Sequence, residues 1–421
     1  MSIKTSMKIF VVEPRGSGGM AHYAYQLCNA LSTYASDVTL VTAKIYELDG
    51  YPHQFHLNKL LNLWNHHDRF SMEPMQNRFG RLLWTVFRNI RRVFRGIRLF
   101  LEWIKLTLYL LKARPDIVQF GAIEFPFEAI FLQYLKSRGL VLSQICHEFE
   151  PREKADSLLL RLNNKLLKNV FSSFSIIFFH SQSNLKRFCE LYPDIPVENF
   201  HIIPHGNEQI FPMGGDNAPV MKALRERYGI TSTDKIVLFF GNLTPSKGIP
   251  DLLAAFEKVH AQNSHARLVI AGMPLKYIDM NSLFEMASKH GIQSVTKFDS
   301  RYLPMEEVGP LMELATVVVF PYRSSTQSGS IQVAYAFGKP VIATRVGGLP
   351  DVVVEGESGF LVEPYSPDQL SYAIMKIIND PELARKMGCF AKKLSETRFA
   401  WEPIAGDVVA AYKSILNEEN F

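Results

Sequence analysis

One lysine, Lys247 in the stretch FFGNLTPSKGI (Phe239 to Ile249), follows an apolar run that stops at Gly241. An ammonium on a glycine-flanked turn just past a buried strand has two readings. It is an ordinary surface lysine, or it faces an anionic ligand at the strand's end, as turns after parallel strands often do. The loop Ser324-Ser325-Thr326-Gln327-Ser328-Gly329 is a second candidate, because a short helical pattern begins where it ends. Hydroxyls and the amides of a helix N-terminus suit an anion. A third is EPRGSGGMAHYAYQL, which puts Gly16, Gly18 and Gly19 between a strand and a helix. It lacks the third glycine of a dinucleotide fingerprint, and no Lys-Ser/Thr follows. The segment is therefore a tight turn, or a helix start favouring an anion or a sugar hydroxyl. His147, in ICHEFEPRE among Glu148, Glu150, Arg152 and Glu153, can accept a hydroxyl hydrogen bond as neutral imidazole; otherwise it is a strand-end surface histidine. His22, His180 and His205 are weaker candidates, and His205 in PHGN suits packing equally well. No carboxylate pair has helical spacing fit for a hydrolase and no DxD stands beside a strand, so neither a metal nor a cofactor is expected.

These groups need strands that end beside them. KIFVVEP, DVTLVTA, PDIVQFG, VLSQICHE and SIIFFHS form one series of apolar runs with helical patterns between them. After the turn-rich PHGNEQIFPMGGDNAP (Pro204 to Pro219) a second series runs through KIVLFFG, ARLVIAG, TVVVFPY, KPVIATR and GFLVEP. Runs of Val, Ile and Phe without polar alternation suit parallel strands covered on both faces. The expected fold class is α/β, with two doubly wound parallel-sheet, Rossmann-like domains facing across a cleft, and 421 residues suffice for both. The boundaries read as 1–207 and 208–399, with a C-terminal helix in 400–421 able to pack on either domain. Composition is that of an ordinary globular chain, 47% hydrophobic and 21% charged. Four scattered cysteines, no secretory leader and no long uncharged apolar run point to a cytoplasmic protein with reduced thiols.

The net charge of +5 is unevenly spread. Between Arg78 and Arg114 ten Lys and Arg stand against Glu102 alone, a local +9 that leaves +5 minus +9, or −4, for the rest. At 100° per residue Arg88, Arg91, Arg92, Arg95 and Arg98 fall within roughly 120° of arc, with Leu, Val, Ile and Phe opposite. The segment 78–112 therefore reads as an interfacial helix on an anionic membrane, peripheral on its inner face. A cover helix with solvated arginines is the alternative. Nucleic acid is not expected, since only Trp84 interrupts the basic face.

Lys247-Gly248, PYRSSTQSGSIQVAYAFGKPVIAT, VGGLPD and GFLV together resemble the nucleotide-sugar-binding half of the family-4 glycosyltransferases, of the two-Rossmann (GT-B) type. GGMAHY, ICHEFEP, FFHSQSNLKRF and IIPHGN resemble the corresponding segments of the first half. The resemblance implies that 1–207 is the acceptor side and 208–399 the donor side. It implies a retaining transfer from a nucleoside diphosphate sugar to a lipid-linked or glycan acceptor presented at a membrane. It places Lys247 on the diphosphate and His147 near the donor sugar or acceptor as catalytic residues. Gly18, Gly19, Gly241, Asn242, Gln327, Ser328 and Gly329 complete the donor-binding set. The chain departs from the family pattern at three positions: Asn242 replaces an arginine, and Ser325 and Val333 replace two glutamates. The loss at Ser325 argues against a double displacement through a side-chain nucleophile there, and the loss at Val333, where the family glutamate binds the ribose, implies different or weaker nucleotide recognition. These losses also keep open a second reading, a catalytically weak or silent homologue serving as a partner subunit.

Overall fold

The computed structural model describes residues 5–63, 78–121, 123, 125–149, 167–211, 217–275 and 277–418, with the backbone alone for Thr5, 78–86, Arg88 and Glu418. By internal contacts the chain divides into two units. The first comprises Met1–Phe179, Phe188–Ile203 and Trp401–Phe421, and the second His180–Arg187 and Pro204–Ala400. The division thus falls at 203/204 and 400/401 rather than at 207 and 399, and a short piece containing His180 belongs with the second unit.

In the first unit β1 (Thr5–Glu13), β2 (Ala35–Ala43), β3 (His56–Leu61), β4 (Ile117–Phe120), β5 (Val141–Ile145), β6 (Ile176–Phe179) and β7 (Phe200–Ile202) form one parallel sheet. Its order is β3-β2-β1-β4-β5-β6-β7, so the winding reverses between β1 and β4. IVQF and IIFF are buried at every residue, as runs covered by helices on both sides must be. Helix α1 (Gly19–Leu31) follows β1 directly.

Helix α2 (Arg78–Ala113) spans 36 residues and carries the basic segment. Its C-terminal half is seated on the unit. Trp103 stacks on Phe131 and Phe120 and donates its indole N–H to Glu128 Oε1 at 3.0 Å, at the start of α3 (Glu128–Ser137). Phe87, Ile90, Phe94, Ile97, Leu101, Ile104 and Leu108, spaced alternately three and four apart, are all exposed, and so are Val93 and Phe100 beside them. Arg92 and Arg98 are exposed and Arg91 and Arg95 half-buried; the side chain of Arg88 lies outside the described residues. Among the described residues no helix is long and apolar enough to cross a membrane.

The second unit holds β8 (Lys235–Phe240), β9 (Ala266–Ala271), β10 (Thr296–Asp299), β11 (Val317–Phe320), β12 (Val341–Thr344) and β13 (Gly359–Val362). All pair in parallel, in the order β10-β9-β8-β11-β12-β13, with the reversal between β8 and β11. Both glycine turns found in the sequence therefore follow the strand at a reversal, the place where α/β sheets bind ligands.

The closing helix, here α4 (Trp401–Glu418), belongs to the first unit. Its Tyr412 is fully buried and donates to Gln119 Oε1 at 2.6 Å, an oxygen that also accepts from Ser143 at 2.7 Å. Tyr34 donates to the Glu402 carbonyl at 3.1 Å.

Candidate functional site

In the second unit the chain leaves β8 at Gly241, where an added side chain would meet Ser330 Oγ at 3.1 Å. A short 3-10 turn, Pro245–Lys247, follows and ends at Gly248 in the left-handed region, φ 66°. A Cβ on Gly248 would lie 1.8 Å from the Pro321 carbonyl oxygen, so only glycine lets the turn lie on the loop after β11. The contact is reinforced by the Ser246 carbonyl, which accepts the Arg323 amide at 2.7 Å. Arg323 in turn spans both oxygens of Asp251 at 2.8 Å each, and this bidentate pair uses up the guanidinium's charge.

Lys247 is held differently. Its Nζ stands 3.5 Å from the centroid of the Tyr322 ring. Tyr322 is 1% exposed, and its hydroxyl is 3.1 Å from Ser328 Oγ. Ser328 is the N-cap of α5 (Gly329–Ala336), with no side-chain cap of its own on the helix. Three positions expected on one ligand, Gly241, Lys247 and Ser328-Gly329, thus meet around the buried Tyr322. The sequence reading missed Tyr322 because VVVFPY looks like the end of a strand.

His205 stands at the same helix start. A Cβ added to Gly329 would be 3.4 Å from its Cε1 and Nε2. Its Nδ1 is 2.8 Å from the Gly206 carbonyl, which must accept, so the neutral ring carries its proton on Nδ1. Burial pushes its pKa down to about 4 against a small opposing effect of that hydrogen bond. The His180 ring lies 5.0 Å away. The VGGLPD turn closes the loop from the other side, with Gly348 N–H donating to the Thr326 carbonyl at 2.9 Å.

The positions where this chain departs from the family pattern are also accounted for. Ser325 donates its hydroxyl to the Gln327 carbonyl at 2.7 Å, a local loop-shaping bond. Val333 is buried, and Asn242 is exposed.

In the first unit the glycine turn is already engaged. The Gly18 amide, read in the sequence as available to an anion, donates to Glu47 Oε2 at 2.9 Å, and His22 Nε2 is 3.1 Å from the same oxygen. A carboxylate of the chain itself therefore sits at the start of α1, where Gly19 begins the helix. Glu47 carried no sequence signal, since it comes from a loop distant along the chain. His147 follows β5 and is 6% exposed, so it is not a surface histidine. Its ring meets the Tyr23 ring edge-on at 4.6 Å and 86°, and Tyr23 packs on Trp401 at 4.9 Å. Its neighbours Glu150, Arg152 and Glu153 lie outside the described residues. Among the described residues no three His, Cys, Asp or Glu side chains gather as a metal site would.

Two family models match in succession. "Glycosyltransferase Family 4" covers residues 17–207 and "Glycosyl transferases group 1" residues 220–394. D-inositol 3-phosphate glycosyltransferase of Corynebacterium glutamicum is 29% identical over 251 residues, 58% of this chain and 58% of its own length. The chain thus spans less than two thirds of that relative. Among solved structures, sucrose-phosphate synthase from Thermosynechococcus elongatus superimposes with TM-score 0.70 at 18% identity, covering 98% of this chain and all of that one. The Anabaena protein HepE, crystallised with UDP-glucose, gives 0.69 at 17%, covering 97% and 100%. The successive matches, the two parallel sheets and the full-length structural likeness agree: the chain belongs to the family-4 glycosyltransferases, of the GT-B type.

Proposed function

We propose that the protein transfers a sugar from a nucleoside diphosphate donor to a membrane-presented acceptor, lipid-linked or glycan, with retention of anomeric configuration. The observation that carries this reading is Lys247, poised beside the start of α5 at the reversal of the second sheet. A diphosphate bound there meets an ammonium and a helix N-terminus together. HepE, of the same fold, was crystallised with UDP-glucose. A nucleotide-sugar donor is the corresponding ligand here, with no metal or cofactor required by the proposal. Gly241, Asn242, Gln327, Ser328 and Gly329 line the donor in this reading, and His147 serves the sugar or acceptor side.

Retention is what the family resemblance implies, and position 325 bears only on its route: Ser325 has no carboxylate to form a covalent glycosyl intermediate, and its hydroxyl donates to the Gln327 carbonyl. The acceptor oxygen then attacks the anomeric carbon on the face the phosphate leaves. The new C–O bond forms as the bond to the phosphate oxygen breaks, and the hydroxyl proton passes to that departing oxygen. Catalysis reduces to positioning and stabilising the charge that grows on the diphosphate.

The acceptor is assigned to a membrane because α2 presents a continuous apolar stripe with arginines along one flank, a pattern complementary to an anionic lipid surface. Asn242, Ser325 and Val333 favour the second reading, a partner subunit without turnover. Radiolabelled transfer assays with a panel of nucleotide sugars and extracted membrane lipids decide between them. Turnover is expected, and Lys247→Ala should slow it by about 10²–10³-fold (about 2.7–4 kcal/mol of barrier) with the fold intact. No turnover with any donor would favour the silent subunit, and a fully active Lys247→Ala would remove the residue from the mechanism.

A further inference from the structure

We infer that Tyr322 is a positioning residue: its ring holds the Lys247 ammonium in place for the diphosphate while leaving the ammonium's charge unspent. The inference rests on the donor-site reading above and adds to it how the cation is held.

The two cations of this turn and loop each stand over a ring, Arg323 at 4.9 Å from the Tyr365 centroid, but among the described residues only Arg323 has a carboxylate partner as well. Arg323 is fixed by Asp251 through two hydrogen bonds of 2.8 Å, a pair whose net charge is zero. Lys247, which is paired with no carboxylate among the described residues, lies 3.5 Å from the centroid of Tyr322. An aromatic face attracts a cation through its quadrupole and carries no charge itself. The ammonium is therefore oriented without being neutralised, and its whole charge remains available to a phosphate. A lysine stem is otherwise flexible, with freedom to lose when it binds.

The ring itself cannot swing. Tyr322 is 1% exposed, and its hydroxyl is 3.1 Å from Ser328 Oγ at the N-cap of α5. Its carbonyl accepts from Thr344 on β12. One side chain thus ties the cation of the first turn to the helix start after β11. The spacing between the ammonium and the helix N-terminus is set before any ligand arrives, as a site that recognises two linked phosphates requires.

The test uses the full chain and probes that do not depend on the unidentified base: inorganic pyrophosphate, with UDP, GDP and ADP beside it. Lysines are reductively ¹³C-dimethylated, and the Lys247 signal is assigned by its loss in Lys247→Arg. In the wild type the ring should shift those methyls upfield, and Tyr322→Phe should keep both the shift and the affinities within about twofold. Tyr322→Leu should abolish the shift and weaken pyrophosphate and any nucleoside diphosphate about tenfold, or about 1.4 kcal/mol. Because Tyr322 is buried, 3,5-difluorophenylalanine at 322, read against Tyr322→Phe, supplies a second variant. It depletes the ring face with little change in size and should weaken binding about two- to fivefold at unchanged melting temperature. An unshifted Lys247 signal in the wild type, or wild-type affinity in both the Leu and the fluorinated variant, overturns the inference. Loss of affinity in Tyr322→Phe as large as in Tyr322→Leu would assign the effect to the hydroxyl and overturn it too. A wild type with the ring shift that binds none of the four probes instead overturns the donor-site reading, a distinct failure.

Discussion

His205 is a base kept neutral at the start of α5, with His180 against its ring and Glu208 on the same side of Gly329. Its pKa of about 4 lies below the usual 6.5, so on acidification the unfolded chain takes up a proton before the native one does. Stability from this residue is therefore complete above about pH 6.5 and is lost as pH falls toward 4. Between pH 7 and pH 5 the loss should be about 2 kcal/mol. Urea unfolding at the two pH values should show it, and His205→Gln should flatten the dependence in that window. An unchanged slope in the variant would assign the acid sensitivity elsewhere. At this scale Lys247 and Ser328 were marked as candidates by their place after a strand and at a helix start. The sequence did not disclose residues defined by a distant partner. Tyr322 hides in a strand-like run, and Glu47 claims the Gly18 amide from 29 residues away.

Helix α2 makes two claims on its own sequence. Its C-terminal half packs through Trp103, Leu106 and Leu110, while nine apolar residues from Phe87 to Leu108 stay exposed over about 32 Å. If that stripe lies on lipid, changing Arg88, Arg91, Arg92, Arg95 and Arg98 to Gln should release the protein from anionic vesicles at moderate salt without altering nucleotide binding. Each arginine near an anionic surface contributes about 1 kcal/mol, which salt screens, whereas the apolar contribution persists. Vesicle sedimentation at two salt concentrations measures both, and equal binding by wild type and variant would count against the lipid reading. The strands show where pattern reading stops. Those missed, β3, β7 and β10, all stand at sheet edges. HLNKLL is exposed or half-buried until its last residue and FHI has three residues, so neither shows the apolar run that double-sided burial imposes. The interior strands, covered on both faces, were all legible.

At the scale of the molecule, chain order and spatial order diverge. The chain passes between units after Phe179, Arg187, Ile203 and Ala400. The first unit owes part of its core to α4, through fully buried Tyr412 and its bond to Gln119. The sequence left that helix free to pack on either domain, because its apolar face names no partner. A chain ending at Ala400 should therefore lower the melting transition of the first unit while the second still binds pyrophosphate. Calorimetry with and without the probe separates the two, and an unshifted first transition would mean the helix is dispensable.

The same arrangement bears on how the protein is made. The strands of the first sheet leave the ribosome early, yet the helix that completes their cover comes only after the second unit has emerged. At 5–20 residues per second, the interval from Ile203 to Trp401 is on the order of 10–40 s. For that time the Gln119–Ser143 pair lacks the Tyr412 hydroxyl, and the face that α4 will cover is open to water or to a chaperone. The second unit, by contrast, can close on itself within its own stretch of synthesis, apart from the short piece His180–Arg187 that it already holds.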